Sequence, residues 1–425
     1  MRICHITPHL GGGVKTVLLN WAKNDASNTH SFFCLNYADD HTKLKCIKDN
    51  IDVCDMIYYN SSILLSKINT YDIVVLHYWN FPLIHAFFIQ NKLPPCRLVV
   101  WNHSSCLYAP YNIYKKLFDV SDRVVFTSSI SEPLYSPSLK IWSTGDMTKF
   151  KNIKFKNHKG FNILYIGTLD YSKIHYNYID VCKVIVDNIK DAKFIMCGSG
   201  DSEQDIKDRA MKYGIYDKFT FTGIVDNVED YVSMSDVFLY ILSPTQFGTC
   251  EQILGETMAS GLIPIVLNNA CESNIVKNNY NGKVVYCLED CIMSIMDIYN
   301  KKDIEYLSQN AKKVSNLLYD TNHMINSWNA VFNDVVKFTK KERFIDCEYK
   351  YSLGMNSFLE SMDKYRSVFI DYLCTGNDSK LIKLFKSNYY QWKSTSKGSI
   401  KQYLSFFKDD VFLIRLNKVL ESLDV

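Results

Sequence analysis

The chain has 425 residues, of which 47% are hydrophobic, 22% charged and 14% aromatic. This composition provides a sizeable buried core and excludes a wholly disordered protein, and the length predicts two or three domains. The formal net charge of +3, from 48 basic and 45 acidic residues, argues against a dedicated nucleic-acid-binding protein.

The beginning of the chain and its cysteines favour a cytoplasmic protein. The stretch Met1–Pro8 is typical of a short strand and a loop, not of a signal peptide. No apolar run reaches the roughly 18–20 residues that cross a bilayer. The 14 cysteines include no Cys-x-x-Cys pair, so neither a zinc knuckle nor a disulfide scaffold is predicted. We therefore expect a cytoplasmic location, with the inner face of a membrane as the alternative.

The first 150 residues alternate short apolar runs with amphipathic stretches. Such alternation is typical of β-α-β units, in which a parallel sheet carries helices on both faces. A helix is predicted over about 14–23. The predicted strands are 2–7, 31–36, 73–77, 98–101 and 123–127. We expect residues 1–150 to form a first Rossmann-like domain.

The pattern restarts after the lysine-rich stretch 149–160. The predicted strands of this second part are 161–167, 193–197, 218–222, 236–242 and 263–267, with a helix over about 178–190. We therefore predict that residues 151–340 form a second doubly wound domain, which faces the first across a cleft. Helical stretches then predict a C-terminal extension over 341–425. This extension either braces the domains, or binds a partner or a membrane surface.

Ligands of open α/β sheets bind just outside the carboxyl ends of the strands, so the loops that follow strands are expected to carry function. The densest signal is the segment from Gly248 to Val266. Gly248 and Thr249 predict the entry to a helix that ends at Gly261, and free backbone N–H groups at such an entry bind anions. Glu256, about two turns along, either accepts hydrogen bonds from ribose hydroxyls or is an ordinary solvated side chain.

Three glycine-bearing loops follow successive predicted strands of the second domain. In the first, Gly167 would let the backbone approach a ligand, and Lys173 would neutralise a phosphate. Gly198 lies in the second loop, and Gly223 in the third. Tight turns between a strand and a helix also require glycine, so each loop is a weak signal alone.

In the first domain, a glycine run and two histidines follow predicted strands. Gly11, Gly12 and Gly13 lack the spacing of a dinucleotide fingerprint or a phosphate loop, and predict a bare backbone that a ligand can approach. His103 either hydrogen-bonds a sugar hydroxyl or is a satisfied structural residue, and the structural interpretation is stronger for His77.

Taken in order, these motifs resemble the retaining, nucleotide-sugar-dependent glycosyltransferases of the GT-B fold, the glycogen-synthase-like group called family four. The resemblance covers about residues 1–340 and is strongest over 161–282. It implies that residues 1–150 are the acceptor-side domain and that 151–340 bind the nucleotide-sugar. Gly167…Lys173 resembles the family's diphosphate loop, and 222–228 its base-contacting loop. Gly255–Val266 resembles the family's Glu-Ala-Met-Ala-x-Gly-x-Pro-Val segment, and 271–276 the segment after it.

Two departures from the family pattern affect the site. The family's Glu-x7-Glu pair would place its first glutamate at Gly248, so either Glu251 replaces that glutamate or backbone amides at 248–250 bind the donor. Thr168 stands where the family has arginine. Residues 341–425 lie outside the resemblance.

The resemblance implies a hexosyltransferase-like GT-B enzyme that transfers a sugar from a nucleoside-diphosphate-sugar to an acceptor hydroxyl. It further implies retention at the anomeric carbon, no obligatory metal, and no cofactor besides the sugar nucleotide as co-substrate. The acceptor would be a glycan, a glycolipid or a lipid-linked saccharide, as in polysaccharide biosynthesis. The implied catalytic residues are His103, Glu251 and Lys173. The implied donor-binding residues are Gly11, Gly12, Gly13, Gly167, Thr168, Lys173, Gly198, Gly223, Ile224, Val225, Gly248, Thr249, Cys250, Glu251 and Glu256.

Three alternatives stay open at this point. The first is a sugar-nucleotide epimerase of the same fold, and the second a catalytically silent subunit or sugar-binding scaffold, which Gly248 and Thr168 motivate. A dinucleotide oxidoreductase is disfavoured, because neither domain's first strand is followed by Gly-x-Gly-x-x-Gly. The donor base and sugar, the linkage and the oligomeric state are not indicated by the sequence.

Overall fold

The computed structural model describes residues 1–423, which divide into two compact units. The first unit contains residues 1–145, 247–249 and 321 onward, and the second contains 146–246 and 250–320. No helix within residues 1–423 combines the length and the apolar character needed to cross a membrane.

Residues 1–145 supply the strands of the first sheet. The strands here are β1 (Arg2–Thr7), β2 (Thr29–Cys34), β3 (Asp52–Cys54), β4 (Ile73–Tyr78), β5 (Leu93–Cys96), β6 (Leu98–Asn102), β7 (Arg123–Phe126) and β8 (Leu139–Lys140). The helices here are α1 (Gly12–Asn24), α2 (Asp40–Lys48), α3 (Ser62–Leu65), α4 (Pro82–Gln90) and α5 (Lys115–Asp119).

The first sheet has seven strands in the order β3-β2-β1-β4-β6-β7-β8, and the neighbours pair in parallel. Its central strands are apolar runs because both faces are covered. One apolar core contains Leu76 and Val100, and another contains Val75 and Val99. The predicted parallel sheet of the first part is therefore confirmed.

The second unit contains the second sheet. Its strands are β9 (Phe161–Ile166), β10 (Ala192–Cys197), β11 (Phe219–Gly223), β12 (Val237–Tyr240), β13 (Ile263–Leu267) and β14 (Lys283–Val285). Its helices are α6 (Thr148–Lys151), α7 (Tyr178–Asn188), α8 (Glu203–Lys212), α9 (Val228–Ser233), α10 (Gln252–Ser260), α11 (Ala270–Ile275), α12 (Asp290–Tyr299) and α13 (Ile304–Leu318). The six strands pair in parallel in the order β11-β10-β9-β12-β13-β14, which confirms a second α/β sheet.

The chain after residue 320 belongs to the first unit. Its helices are α14 (Thr321–Val335), α15 (Leu353–Ser361), α16 (Arg366–Thr375), α17 (Ser379–Ser387), α18 (Tyr389–Lys393), α19 (Ile400–Phe406) and α20 (Val411–Glu421), and its strand is β15 (Lys341–Arg343). The predicted boundary of the second domain lay at residue 340, whereas residues 321–340 belong to the first unit. They pack there because Trp328 of α14 stacks on Trp21 of α1, with ring centroids 4.9 Å apart.

The C-terminal extension packs on the first unit. β15 pairs antiparallel with β5. Phe406 of α19 lies edge-on against Phe81, with centroids 5.3 Å apart, and the Tyr403 hydroxyl donates to Asn80 Oδ1 at 3.4 Å. The helices share an apolar core of their own that includes Phe358, Trp392 and Leu416. These contacts support the bracing interpretation of the extension.

Candidate functional site

An ion pair between Lys173 and Glu251 forms the centre of the site in the second unit. Lys173 Nζ lies 2.6 Å from Glu251 Oε1, and the Tyr240 hydroxyl donates to Glu251 Oε2 at 2.6 Å. The two charged side chains are 10% and 6% exposed, so water screens the pair weakly. The structure thus brings together two of the three predicted catalytic residues.

Two further polar residues extend this pair. Lys173 Nζ donates to Gln246 Oε1 at 3.3 Å, and Gln246 Nε2 donates to Glu272 Oε1 at 3.1 Å. Glu272 is fully buried, and burial together with the nearby Glu251 raises its pKa to about 8. Glu272 therefore keeps its proton to a higher pH than an ordinary glutamate does. We call Lys173, Glu251, Tyr240, Gln246 and Glu272 the Lys173 cluster.

Sequence reasoning missed three members of the Lys173 cluster. Glu272 falls in the segment 271–276, which resembled the family without an assigned role. Tyr240 ends strand β12 and could have been selected as a strand-end polar group. Gln246 lies in a loop without a pattern that distinguishes it.

Helix α10 begins later than predicted. The predicted entry was Gly248–Thr249, but the helix begins at Gln252, and its N-cap Glu251 has φ of 31° in the left-handed region. The helix start is stabilised by a distant residue, because the Tyr319 hydroxyl donates to the carbonyls of Cys250 and Glu251. The predicted end is confirmed, since Gly261 is the left-handed C-cap with φ of 92°.

Gly248 and Thr249 belong to the first unit. Thr127 Oγ1 donates to Thr249 Oγ1 at 2.8 Å, and the Ser105 N–H donates to the carbonyl of Phe247 at 2.8 Å. The backbone amides at 248–250 are therefore not the first turn of α10. Their predicted contact with the donor stays a prediction.

Gly255 and Glu256 lie in the middle of α10. A Cβ on Gly255 would lie 2.7 Å from the ring of Tyr319, and Ser315 Oγ donates to the Gly255 carbonyl at 2.7 Å. Gly255 thus lets α10 pack closely on the end of α13. Glu256 is half-buried, and loss of water contacts together with Glu229 raises its pKa to about 7. It can accept hydrogen bonds once it is ionised.

The predicted glycine loops lie side by side at the carboxyl ends of β9, β10 and β11. The Gly167 N–H donates to the Cys197 carbonyl at 2.9 Å, and the Gly198 N–H to the Gly223 carbonyl at 2.9 Å. Gly198 has a packing reason to be glycine, because a Cβ there would lie 1.9 Å from the Gly167 carbonyl oxygen. In the remaining predicted positions, Thr168 is exposed, Ile224 is 82% exposed and Val225 is half-buried.

In the first unit, the predicted glycine run begins helix α1. Gly11 is its N-cap, Gly12 has φ of 59°, and Gly12 and Gly13 are exposed. A Cβ on Gly11 would approach His9 Nδ1 to 3.0 Å and the Tyr37 hydroxyl to 3.2 Å. The bare backbone predicted here is present.

His103 follows β6 in the first unit and is half-buried. Its ring lies 4.5 Å from that of Trp101, and its Nε2 is 2.9 Å from His77 Nδ1. Burial, together with the positive charge of Lys397, lowers the pKa of His103 to about 3, so the imidazole is neutral. Lys397 belongs to the C-terminal extension and lies over the ring of Phe247, 4.3 Å from its centroid. No sequence motif indicated that the extension reaches this histidine.

Metal ligation is not indicated: within residues 1–423, His, Cys, Asp and Glu side chains form no group of three or more that could hold a metal ion. The metal-free reaction stays a prediction.

Comparison with known proteins finds relatives for part of the sequence and for the fold. Residues 146–317 match the family model described as glycosyl transferases group 1. The 2-deoxystreptamine N-acetyl-D-glucosaminyltransferase of Niallia circulans is 22% identical over 250 residues, which cover 50% of this chain and 62% of that protein. The chain thus matches less than two thirds of the length of this relative.

Solved structures show the same fold. Anabaena HepE in complex with UDP superimposes with a TM-score of 0.63 at 14% identity, over 79% of this chain and 100% of that chain. The apo form of the lipopolysaccharide outer core galactosyltransferase WaaB gives a TM-score of 0.58 at 15% identity, over 79% of this chain and 100% of that chain. The chain therefore has the GT-B fold, and its residues 146–317 match the group 1 glycosyl transferase model.

Proposed function

We propose that the protein is a glycosyltransferase that moves a sugar from a nucleoside-diphosphate-sugar donor to an acceptor hydroxyl. The observation that carries this proposal is the Lys173 cluster, which places a buried cation and a carboxylate next to each other within the group 1 domain. The matched relative is named as a sugar transferase, and HepE was solved with UDP and with UDP-glucose. These names favour transfer over the epimerase and oxidoreductase alternatives.

Lys173 would neutralise the diphosphate as it leaves the sugar. Negative charge grows on the β-phosphate in the transition state, so a cation fixed beforehand stabilises the transition state more than the bound donor. In the unliganded protein Lys173 is paired with Glu251 at 2.6 Å. An arriving diphosphate would compete with this carboxylate for the ammonium group.

Glu251, and not backbone amides at 248–250, would replace the first glutamate of the family motif. Its carboxylate already lies in the Lys173 cluster, whereas Gly248 and Thr249 are held by residues of the first unit. Once the diphosphate takes over Lys173, the released carboxylate of Glu251 could accept hydrogen bonds from the transferred sugar. Tyr240 would keep it in place through its bond to Oε2.

Glu256 would bind the ribose of the nucleotide. Two ribose hydroxyls that donate to the carboxylate favour its ionised form, and so would lower the raised pKa of this half-buried group. The loop at Gly223, Ile224 and Val225 would hold the base. Retention, independence of a metal, and a glycan or lipid-linked acceptor stay parts of the proposal, as does peripheral contact with a membrane.

The test is release of nucleoside diphosphate from a panel of sugar nucleotides, with and without candidate acceptor saccharides. Lys173→Met is compared with Lys183→Met, which removes the lysine of an exposed pair with Asp187 in the same unit. Loss of one such charge contact costs roughly 3–4 kcal/mol, so turnover should fall at least a hundredfold in Lys173→Met and stay unchanged in Lys183→Met. Equal rates in the two variants would contradict the role of Lys173.

The same assay separates the alternatives. An altered donor sugar formed without any acceptor would favour the epimerase. Donor binding without transfer or hydrolysis, with every acceptor tested, would favour the silent subunit.

A further inference from the structure

Four histidines form a diagonal row across the first sheet. His30 lies on β2, His5 on β1, His77 on β4, and His103 just after β6. The parallel register pairs Ile3 with His30, so His5 lies two residues beyond the position opposite His30. The same two-residue step relates His77 to His5, and His103 to His77. Because side chains on a strand alternate with a period of two, all four lie on the same face of the sheet.

The histidine row is continuous from ring to ring. His30 Nδ1 lies 2.8 Å from His5 Nε2, His5 Nδ1 lies 2.9 Å from His77 Nε2, and His77 Nδ1 lies 2.9 Å from His103 Nε2. His5 and His77 are fully buried and His30 nearly so, with Trp21 and Trp101 packed against the row. Each ring therefore uses its neighbours, and not water, as hydrogen-bond partners.

Asp25 lies at the inner end of the row, 3.3 Å from His30 Nε2. Its other contacts are donors: the Ser27 N–H at 2.9 Å, Asn28 Nδ2 at 2.8 Å and Trp21 Nε1 at 3.3 Å. Burial alone would raise the pKa of Asp25, but the hydrogen bonds from His30, Asn28 and Ser27 lower it to about 2. Asp25 is thus a carboxylate that can only accept hydrogen bonds.

With one proton on each ring, the carboxylate sets the direction of every bond in the row. A neutral imidazole carries one N–H donor and one acceptor nitrogen. Since Asp25 accepts, His30 donates from Nε2 and accepts at Nδ1, which requires that His5 donates from Nε2. The same step repeats at His77 and at His103. The row therefore ends with a proton on His103 Nε2 and a lone pair on His103 Nδ1.

We propose that each ring of the row carries one proton, and that Asp25, His30, His5 and His77 are positioning residues. They hold His103 as the Nε2–H tautomer, so that its Nδ1 accepts a hydrogen bond from a substrate hydroxyl. Within the described part of the chain the His103 ring pairs through Nε2, and it is half-buried at the carboxyl end of the sheet. That a substrate hydroxyl donates to Nδ1 rests on the proposed glycosyltransferase function, but the tautomer of His103 does not depend on that function.

Burial and Lys397 disfavour a proton on three rings of the row, those of His5, His77 and His103. Burial, helped by the neighbouring histidines, lowers the pKa values of His5 and His77, and the Lys397 ammonium disfavours a second cation at His103. A proton added at His103 Nδ1 would turn this nitrogen from an acceptor into a donor. The C-terminal extension thus contributes, through Lys397, to the acceptor state of His103.

The experiment measures the tautomer of His103 by NMR of protein that carries 15N-labelled histidine, with His103→Gln to assign its signals. The wild-type protein should show His103 with a protonated Nε2 and an unprotonated Nδ1. Asp25→Asn replaces the obligatory acceptor by an amide that can also donate, so the Nδ1–H tautomer of His103 should become populated. Asp40→Asn, the same change at an exposed position on α2, should leave the His103 signals unchanged.

A protonated Nδ1 on His103 in the wild type would overturn the proposal, whether or not Asp25→Asn folds. A folded Asp25→Asn variant with an unaltered His103 tautomer would overturn the role of Asp25. With an active donor, Asp25→Asn should lower kcat/KM about threefold to tenfold, and less so with a donor that lacks the recognised hydroxyl. The expected tautomers in a protein that transfers no sugar would refute the proposed function and leave the row as assigned.

Discussion

Removal of Lys173 should destabilise the unliganded protein, because it leaves the Glu251 carboxylate buried without its cation. At 2.6 Å and an effective dielectric constant of about 20, the attraction between two unit charges is about 6 kcal/mol before the cost of desolvation. Removing one partner of a buried pair typically costs about 3–5 kcal/mol. For a unit of this size, that corresponds to a fall in Tm of roughly 6–20 °C.

A double-mutant cycle isolates the pair. Lys173→Met, Glu251→Gln and the double variant are compared by thermal and urea unfolding at pH 7. The double variant removes both charges and leaves neutral side chains of similar size, so it should be more stable than the sum of the single changes by at least about 2 kcal/mol.

The control for this cycle is the pair of Lys183 and Asp187, which has a comparable separation of 2.5 Å but exposed side chains. Lys183→Met should cost less than about 1 kcal/mol, because water screens an exposed pair. The reasoning about the Lys173 cluster would be refuted if Lys173→Met cost no more than this control, or if the two single changes were additive.

Three further predictions concern packing and pH. Gly198→Ala should unfold the second unit at a clearly lower temperature than Gly214→Ala, because both have positive φ but only Gly198 faces a backbone oxygen, at 1.9 Å; equal Tm values would contradict this. The stability of Glu256→Gln relative to the wild type should increase as the pH rises from 4.5 to about 7, by at most about 3 kcal/mol. The reason is that folded wild-type protein holds a proton on Glu256 that the unfolded wild type has released. A Tm difference that does not change with pH would contradict the raised pKa. Trp328→Ala should cost about 3–5 kcal/mol in urea unfolding, since it removes the ring that α14 stacks on Trp21, and a change under 1 kcal/mol would show that α14 does not depend on this contact.

The sheets were predictable because their strands are fully buried. Parallel strands covered on both faces are runs of Val, Ile and Phe, and the sequence shows these runs directly. The strands missed are short, with two to four residues, so they carry little apolar signal: β3, β5, β8, β14 and β15. The helical character of 321–340 was predictable, but its partner was not, because the contact of Trp328 with Trp21 joins residues about 300 positions apart.

Site residues were predictable where a polar or charged side chain follows a strand end. They were less predictable where contacts between distant parts of the chain determine the local structure. Lys173 and Glu251 were both selected, but their mutual pairing depends on the geometry of two loops. The start of α10 was placed too early, because the bonds from Tyr319 that stabilise Glu251 in the left-handed region come from another helix. Gly198 was interpreted through a ligand, whereas contact with the Gly167 carbonyl already requires glycine there.

The histidine row could not be predicted from the sequence alone, because it depends on the register between neighbouring strands. His77 and His103 were both noticed at strand ends, and His77 was interpreted as structural. That both belong to one row with His5 and His30 depends on a two-residue offset between neighbouring strands. This offset is set by packing and not by the local sequence.

The central claim is that the Lys173 cluster binds the diphosphate of a sugar nucleotide. Calorimetric titration of the wild type and of Lys173→Met tests it most directly, with the nucleoside diphosphate that raises the wild-type Tm most and with the matching monophosphate. The wild type should bind the diphosphate at least about tenfold more tightly than the monophosphate, because Lys173 meets the β-phosphate, and the variant should bind both with similar, weaker affinity. The claim would be contradicted if no nucleoside diphosphate bound to the wild type, or if Lys173→Met kept the full preference for the diphosphate.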